Sequence, residues 1–197
     1  KTNHKFTIKR QKYEKKFFFN NENYNLKNYK IFDDINNIKS IKYLKKINPD
    51  VIISFGVGLI KKKFLSKFKS KKIINLHGGN PEEYRGLDSI LWSIYHKDFK
   101  NLQTTLHMVD TKFDTGKIIS KKKIILSKST KFEHIRTINT LNCIKLVIEY
   151  LNCLNKDKKI LVLKQNKIGR YYSAIPSYLI DKCIKNFNNY SNRRYKK

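Results

Sequence analysis

Apolar residues fall along this chain in short blocks, some spaced like strands and some like helices. Residues 50–55 read Asp-Val-Ile-Ile-Ser-Phe. A β-branched run without alternation predicts a fully buried parallel strand. Upstream, Ile38, Ile41, Leu44 and Ile47 recur at helical spacing. They predict a helix capped by Asp33-Asp34 and ended by Asn48-Pro49-Asp50. Downstream, residues 60–68 predict a basic surface helix, and residues 72–75 a second strand. Residues 77–86 read as a loop. Leu87, Ile90, Leu91 and Ile94 mark an amphipathic helix over residues 87–95. Strands follow at 104–109 and 118–126. A long helix over 133–154 carries Ile135, Ile138, Leu141, Ile144, Ile148 and Leu151 as its expected core stripe. Shorter elements are expected at 30–32 and 160–163 as strands, and around 177–187 as a helix. Phe17-Phe18-Phe19 is an apolar cluster expected to dock on the fold.

Strands alternating with helices define a three-layer, Rossmann-like α/β fold with a mostly parallel sheet. The expected division is one domain over residues 1–165 and a short C-terminal extension over 166–197.

Charge and cysteine content change this picture only a little. The chain has 197 residues and a formal net charge of +29. That charge invites a nucleic-acid reading. Arginine, the better reader of phosphates and bases, occurs only at Arg10, Arg85, Arg136, Arg170, Arg193 and Arg194. The remaining positive charge is lysine, spread along the chain beside abundant Asn and Ile, a pattern of AT-rich coding rather than of a selected surface. No apolar run is long enough to span a bilayer, so no membrane insertion is expected. The stretch 1–16 is polar and lacks the apolar region of a secretory signal. Cys143, Cys153 and Cys183 have no pairing or metal spacing, which points to free thiols in a reducing cytoplasm.

The chemistry concentrates in residues 73–119. Asn75-Leu76-His77-Gly78-Gly79 ends one strand, and Asp114-Thr115-Gly116 follows another. Alternate side chains of a strand share a face, so Asn75 and His77 point the same way, where ligands bind in open α/β sheets. Gly78 and Gly79 remove side chains beside His77 and give a ligand access to the backbone. An amide, an imidazole and a carboxylate form an acyl-transfer set: polarise a carbonyl, manage a proton, orient the base. Each also has a plain reading. Asn75 can satisfy loop backbone, His77 can be structural, and Asp before Thr-Gly is a common turn former. Gly56-Val57-Gly58 reads as a tight turn between strand and helix. His107 and His96 read as structural, and Trp92, Tyr171 and Tyr172 as packing. Arg85 either holds an acidic group of a substrate or pairs with Glu82 or Glu83.

Asn75-x-His77, then Pro81, Tyr84-Arg85-Gly86, a helix with Trp92, and Asp114-Thr115-Gly116 resemble the formyltransferase family that uses 10-formyltetrahydrofolate. That family includes methionyl-tRNA formyltransferase, glycinamide ribonucleotide formyltransferase and the sugar N-formyltransferases. The match is densest over residues 51–126. The resemblance implies Asn75, His77 and Asp114 as the catalytic trio. It implies Gly56, Val57, Gly58, Leu59, Asp110, Thr115 and Gly116 at the folate. It implies Gly78, Gly79, Pro81, Tyr84, Arg85 and Gly86 at the acceptor, and no metal. The loop His-Gly-Gly-Asn-Pro-Glu-Glu-Tyr-Arg-Gly-Leu-Asp-Ser is most similar to sugar-modifying members. The implied acceptor is therefore a nucleotide-linked amino-sugar, ahead of tRNA; the sequence leaves the oligomeric state open, a homodimer included. Family members open with a strand and a glycine-rich turn that the first residues here do not show, so a chain lacking the first βα unit is expected. An inactive member of the fold is the remaining alternative.

Overall fold

The computed structural model describes residues 4–20 and 28–195. Its centre is a four-stranded sheet in the order β1-β2-β4-β5. The strands are β1 (Val51–Phe55), β2 (Lys72–His77), β4 (Gln103–Met108) and β5 (Ile118–Lys123). A second, two-stranded sheet pairs β3 (Tyr84–Gly86) with β6 (Arg170–Tyr172) in parallel. Helices α2 (Ile38–Ile47) and α3 (Lys62–Lys67) lie on one face of the main sheet, and α5 (Ile135–Asn155) lies on the other. Helices α4 (Ser89–Tyr95), α6 (Ile180–Tyr195) and α1 (His4–Phe19) close one flank. The architecture is the three-layer, Rossmann-like α/β arrangement.

The direction of the strands departs from the expectation of a mostly parallel sheet. β1 and β2 are parallel, but β2–β4 and β4–β5 are both antiparallel. Only β1 reads as a near-continuous apolar run, while β4 (Gln-Thr-Thr-Leu-His-Met) and β5 (Ile-Ile-Ser-Lys-Lys-Lys) mix polar and apolar residues. β2 and β4 are nonetheless buried along most of their length and run antiparallel, so burial does not report direction here. β1 is also less buried than its sequence predicts: Ile53 is 40% and Phe55 53% exposed. It pairs on one side only among the described residues.

Side-chain alternation along β2 divides the core. Ile73 faces α2 and α3 with Ile41, Ile60, Phe64 and Phe68. Ile74 and Leu76 face α5 with Leu106, Cys143, Leu146 and Tyr150. Full burial of one such side chain contributes roughly 1.5–3 kcal/mol. Residues 60–68 are thus more than a surface helix, since Phe64 is wholly buried. The stripe expected on α5 is also redrawn. Ile135 is buried, but Ile144, Ile148 and Leu151 face outward, and Cys143, Leu146 and Tyr150 face the sheet. This helix is apolar on both sides, so spacing alone cannot choose its inner face.

Several boundaries move for identifiable reasons. The cap of α2 is Asn37, whose Oδ1 accepts from Ser40 N at 2.8 Å. Asp34 instead accepts from Asn36 N at 2.8 Å and builds the preceding turn. No strand forms at 30–32, and Ile31 lies exposed. The segment 160–163 contributes one bridge, Leu163 to Ile118. α1 has no periodic stripe, yet it docks Phe6 on Phe132 at 4.9 Å and stacks Tyr13 on His134 at 4.1 Å. Phe17, Phe18 and Phe19 pack on one another, with Phe17 and Phe19 exposed. After Gly169 the chain is tied in twice. β6 pairs with β3, and α6 buries Ile180, Cys183 and Phe187 beside Ile90 and Ile94.

Candidate active site

Asn75 and His77 lie at the carboxyl end of β2, on the face away from α5. The antiparallel register sets Asn75 opposite His107 and His77 opposite Thr105. A register shift between Leu106 and His107 in the β4–β5 pairing places Ile119 as the extra residue. Bulges re-aim side chains and are frequent beside active sites. The loop after β4 then returns Asp114 to the same place. Asp114 has a left-handed backbone, φ +53°, which Asp tolerates better than most residues. Gln165 Nε2 holds this loop by donating to the carbonyls of Asp114 and Gly116, both at 2.8 Å. Gly116 is required there: a Cβ at that position would stand 1.7 Å from the Met108 carbonyl oxygen.

The Asp114 carboxylate is the hub. Its Oδ2 accepts from Gly86 N at 2.8 Å and lies 3.5 Å from His77 Nδ1. Its Oδ1 lies 3.4 Å from both His107 Nε2 and Asn75 Nδ2. Burial works against its charge, but its polar neighbours, the Gly86 N–H among them, outweigh it and hold the carboxyl below its usual range. His77 is 5% exposed. Burial lowers its pKa, and the neighbouring carboxylate only partly opposes that. His77 is therefore a neutral imidazole near pH 7. Its Nε2–H donates to the Tyr84 carbonyl at 2.8 Å, which leaves Nδ1 as a bare acceptor facing Asp114. A proton arriving on Nδ1 meets a carboxylate that stabilises it.

A small cleft of about 50 Å³ opens on this cluster. Ser54, Val57, Gly58, Leu59, Asn75, His107, Asp110 and Asp114 all border it. The structure thus brings four folate candidates, Val57, Gly58, Leu59 and Asp110, to the same cleft as Asn75 and Asp114. Gly56 has a positive φ of +66°, and both it and Gly58 face open space. They begin a longer loop than the tight turn the sequence predicts, since α3 starts only at Lys62. Thr115 Oγ1 donates to Asp110 at 2.6 Å and so shapes the cleft indirectly.

The acceptor candidates divide. Gly86 reaches Asp114 directly. Gly79 and Pro81 are buried, and Gly78 packs on Asn139 and Ile90. Tyr84 is buried, and its hydroxyl donates to Asp98 at 3.1 Å, with its pKa pushed up by burial and by that carboxylate. Arg85 donates to the carbonyls of Gly169 at 2.6 Å and Phe113 at 3.0 Å. Glu82 and Glu83 pair instead with Lys121 and Lys167. Trp92 donates to the Ser173 carbonyl and packs on Tyr172. Ser54, His107 and Gln165 join the site without any motif to announce them. Only the strand register and the return of the 163–165 segment bring them in.

This chemistry and this fold define the class. The formyl transferase family profile matches residues 3–147, and the chain belongs to that family. Among its relatives is the bifunctional polymyxin resistance protein ArnA of Wigglesworthia glossinidia brevipalpis. It is 32% identical over 83% of this chain and 22% of its own length. A methionyl-tRNA formyltransferase of Finegoldia magna is 32% identical over 62% of this chain and 37% of its own. The chain thus spans well under half of either relative. Among solved structures, the formyltransferase PseJ from Anoxybacillus kamchatkensis superposes with a TM-score of 0.56 at 30% identity, covering 64% of this chain and 65% of that one. That protein was solved with UDP-4,6-dideoxy-4-formamido-L-AltNAc and tetrahydrofolate.

Among the described residues, no helix is long and apolar enough to cross a membrane. No group of three or more His, Cys, Asp or Glu among them is arranged to hold a metal ion.

Proposed function

We propose that this chain transfers a formyl group from 10-formyltetrahydrofolate to a primary amine of a nucleotide-linked amino-sugar, in the cytoplasm. The observation that carries the reading is one carboxylate, Asp114, in reach of Asn75, His77 and a cleft at the end of β2. The open backbone at Gly56 and Gly58 leaves room for the flat heterocycle of the donor. Tetrahydrofolate bound to PseJ supports the same donor.

The steps follow from the chain's own groups. The amine attacks the formyl carbon, and the carbonyl oxygen becomes an oxyanion. Asn75 Nδ2–H donates to that oxygen, and such donors are commonly worth about 3 kcal/mol. Asp114 borders the cleft, with His77 behind it. The amine proton passes by way of the Asp114 carboxylate to His77 Nδ1, and the charged imidazole forms beside the carboxylate that favours it. Collapse of the intermediate expels the folate nitrogen, which takes a proton back.

The loop from Gly78 to Ser89 and the sugar-nucleotide in PseJ support an amino-sugar acceptor. A second reading, transfer to charged initiator tRNA, is favoured by the net charge of +29 and by the tRNA-modifying relative. The test is mass spectrometry of each candidate after incubation with 10-formyltetrahydrofolate, at physiological salt to suppress nonspecific tRNA binding. A gain of one formyl group is expected on a nucleotide-linked 3- or 4-amino-deoxysugar and not on tRNA-bound methionine. Formylated tRNA with unmodified amino-sugars would replace the first reading by the second.

A further inference from the structure

The geometry points to Ser54 and His107 as positioning residues that lock the Asn75 carboxamide in one orientation, with Nδ2 presented to the reaction. This inference rests on the proposed function for its kinetic part only. Asn75 Oδ1 accepts from Ser54 Oγ–H at 2.8 Å. Asn75 Nδ2 lies 3.2 Å from His107 Nε2. His107 Nδ1 lies 2.7 Å from the Met108 carbonyl oxygen, an acceptor only, so Nδ1 carries a proton. In the neutral ring Nε2 is then bare and accepts from Asn75.

Ser54 Oγ–H has a second acceptor in reach, the Ile74 carbonyl at 3.1 Å, but Asn75 Oδ1 is nearer at 2.8 Å, and the bare His107 Nε2 is the contact that selects the orientation. A flipped carboxamide would set Oδ1 against the bare Nε2, two lone pairs facing each other. Ser54 is buried, and His107 is 2% exposed, and an unmatched buried polar pair is costly. The lock also counts hydrogens. Nδ2 has two. One is held by His107, and the other makes only a 3.4 Å contact to Asp114 Oδ1. That loosely held hydrogen is the one available to an oxyanion. Asp114 competes for His107 as well, at 3.4 Å from Nε2. A proton on Nε2 would be drawn to that carboxylate and would release Asn75.

Two measurements test the lock. In nitrogen-15 NMR of the imidazole rings at neutral pH, His107 is expected as the Nδ1–H tautomer, the rarer form, and His77 as the Nε2–H tautomer. A His107 ring carrying a proton on Nε2 would overturn the proposal, whatever the enzyme's acceptor. In kinetics, Ser54→Ala and His107→Leu are each expected to lower kcat about tenfold, with KM for the donor changed less than about twofold. His107→Gln, whose Oε1 can stand where Nε2 stood, is expected to recover most of the loss. It also covers the case in which His107→Leu fails to fold. In an Asn75→Ala background the Ser54→Ala change is expected to cost nothing further. An equal loss in both backgrounds would show that Ser54 acts elsewhere and would end the proposal. A wild-type chain that formylates no acceptor would count against the proposed function alone, and the tautomer would still decide the lock.

Discussion

The carboxyl end of β2 and the outer edge of the fold are built on opposite terms. At the strand end, Ser54, Asn75, His77, His107 and Asp114 hold one another within 3.5 Å, and Gly86 and Gln165 fix the loops that bring them there. At the edge, Ile53 and Phe55 of β1 and Ile144, Ile148 and Leu151 of α5 face outward with their apolar groups uncovered. Hydrogen bonds are directional, so a polar residue at the site has few places it can stand. Apolar burial is not directional, so an apolar letter states a preference for the interior and leaves its address open.

The largest effects are expected at the strand end. Asn75→Ala and His77→Ala should each lower formyl transfer about a hundredfold or more, because in the proposed mechanism they act on one intermediate. The double variant should lose little beyond either single one. Turnover beside thermal melts checks this, and multiplied losses would separate the two residues.

Next come backbone and core. Gly116→Ala drives a Cβ toward the Met108 carbonyl. It should lower the melting temperature by roughly 10 °C, about 3 kcal/mol. Gly58→Ala, with open space around it, should stay within about 2 °C of wild type. Calorimetry on the pair sharpens the contrast between crowded and open glycines. On α5, Leu146→Ala removes a buried side chain and should cost about 3 kcal/mol. Ile148→Ala, two residues further on and 52% exposed, should cost less than about 0.5 kcal/mol. Equal costs in denaturant titrations would mean that the outer stripe is covered in solution.

The smallest effect is in pH. His77 has a lowered pKa in the folded chain, so the unfolded chain binds its proton first. Stability contributed by the neutral ring is whole above about pH 6.5 and is lost as pH falls below it. Asp114 is also lowered, but its share is whole above the usual carboxylate range near pH 4 and declines only below it. Between pH 7 and 5 the melting temperature should therefore fall more in wild type than in His77→Gln. Parallel curves would remove His77 as the titrating group.

These contrasts mark what could be read from the chain and what could not. Strand alternation set Asn75 and His77 on one face, and the family resemblance added Asp114 to make the candidate trio. His107 looked like an ordinary strand residue, since its meaning depends on a register between β2 and β4 that no local pattern states. Gln165 was hidden for the same reason, reaching Asp114 from a distant segment. The layers of the fold followed from alternating strands and helices, but strand direction did not, because β2 and β4 are both largely buried and yet run antiparallel. On α5 the outer stripe Ile144, Ile148 and Leu151 has the same spacing as a core stripe, and only the sheet itself selects Cys143, Leu146 and Tyr150.

The central claim is that one buried carboxylate organises the transfer, and Asp114→Asn tests it most directly. Asn tolerates the left-handed backbone at this position, and its Oδ1 can still accept from Gly86 N, so the fold is kept while the charge is removed. Single-turnover transfer from 10-formyltetrahydrofolate to the amino-sugar acceptor should fall about a hundredfold or more, with the melting temperature within about 2 °C of wild type. Transfer within a few-fold of wild type would contradict the account.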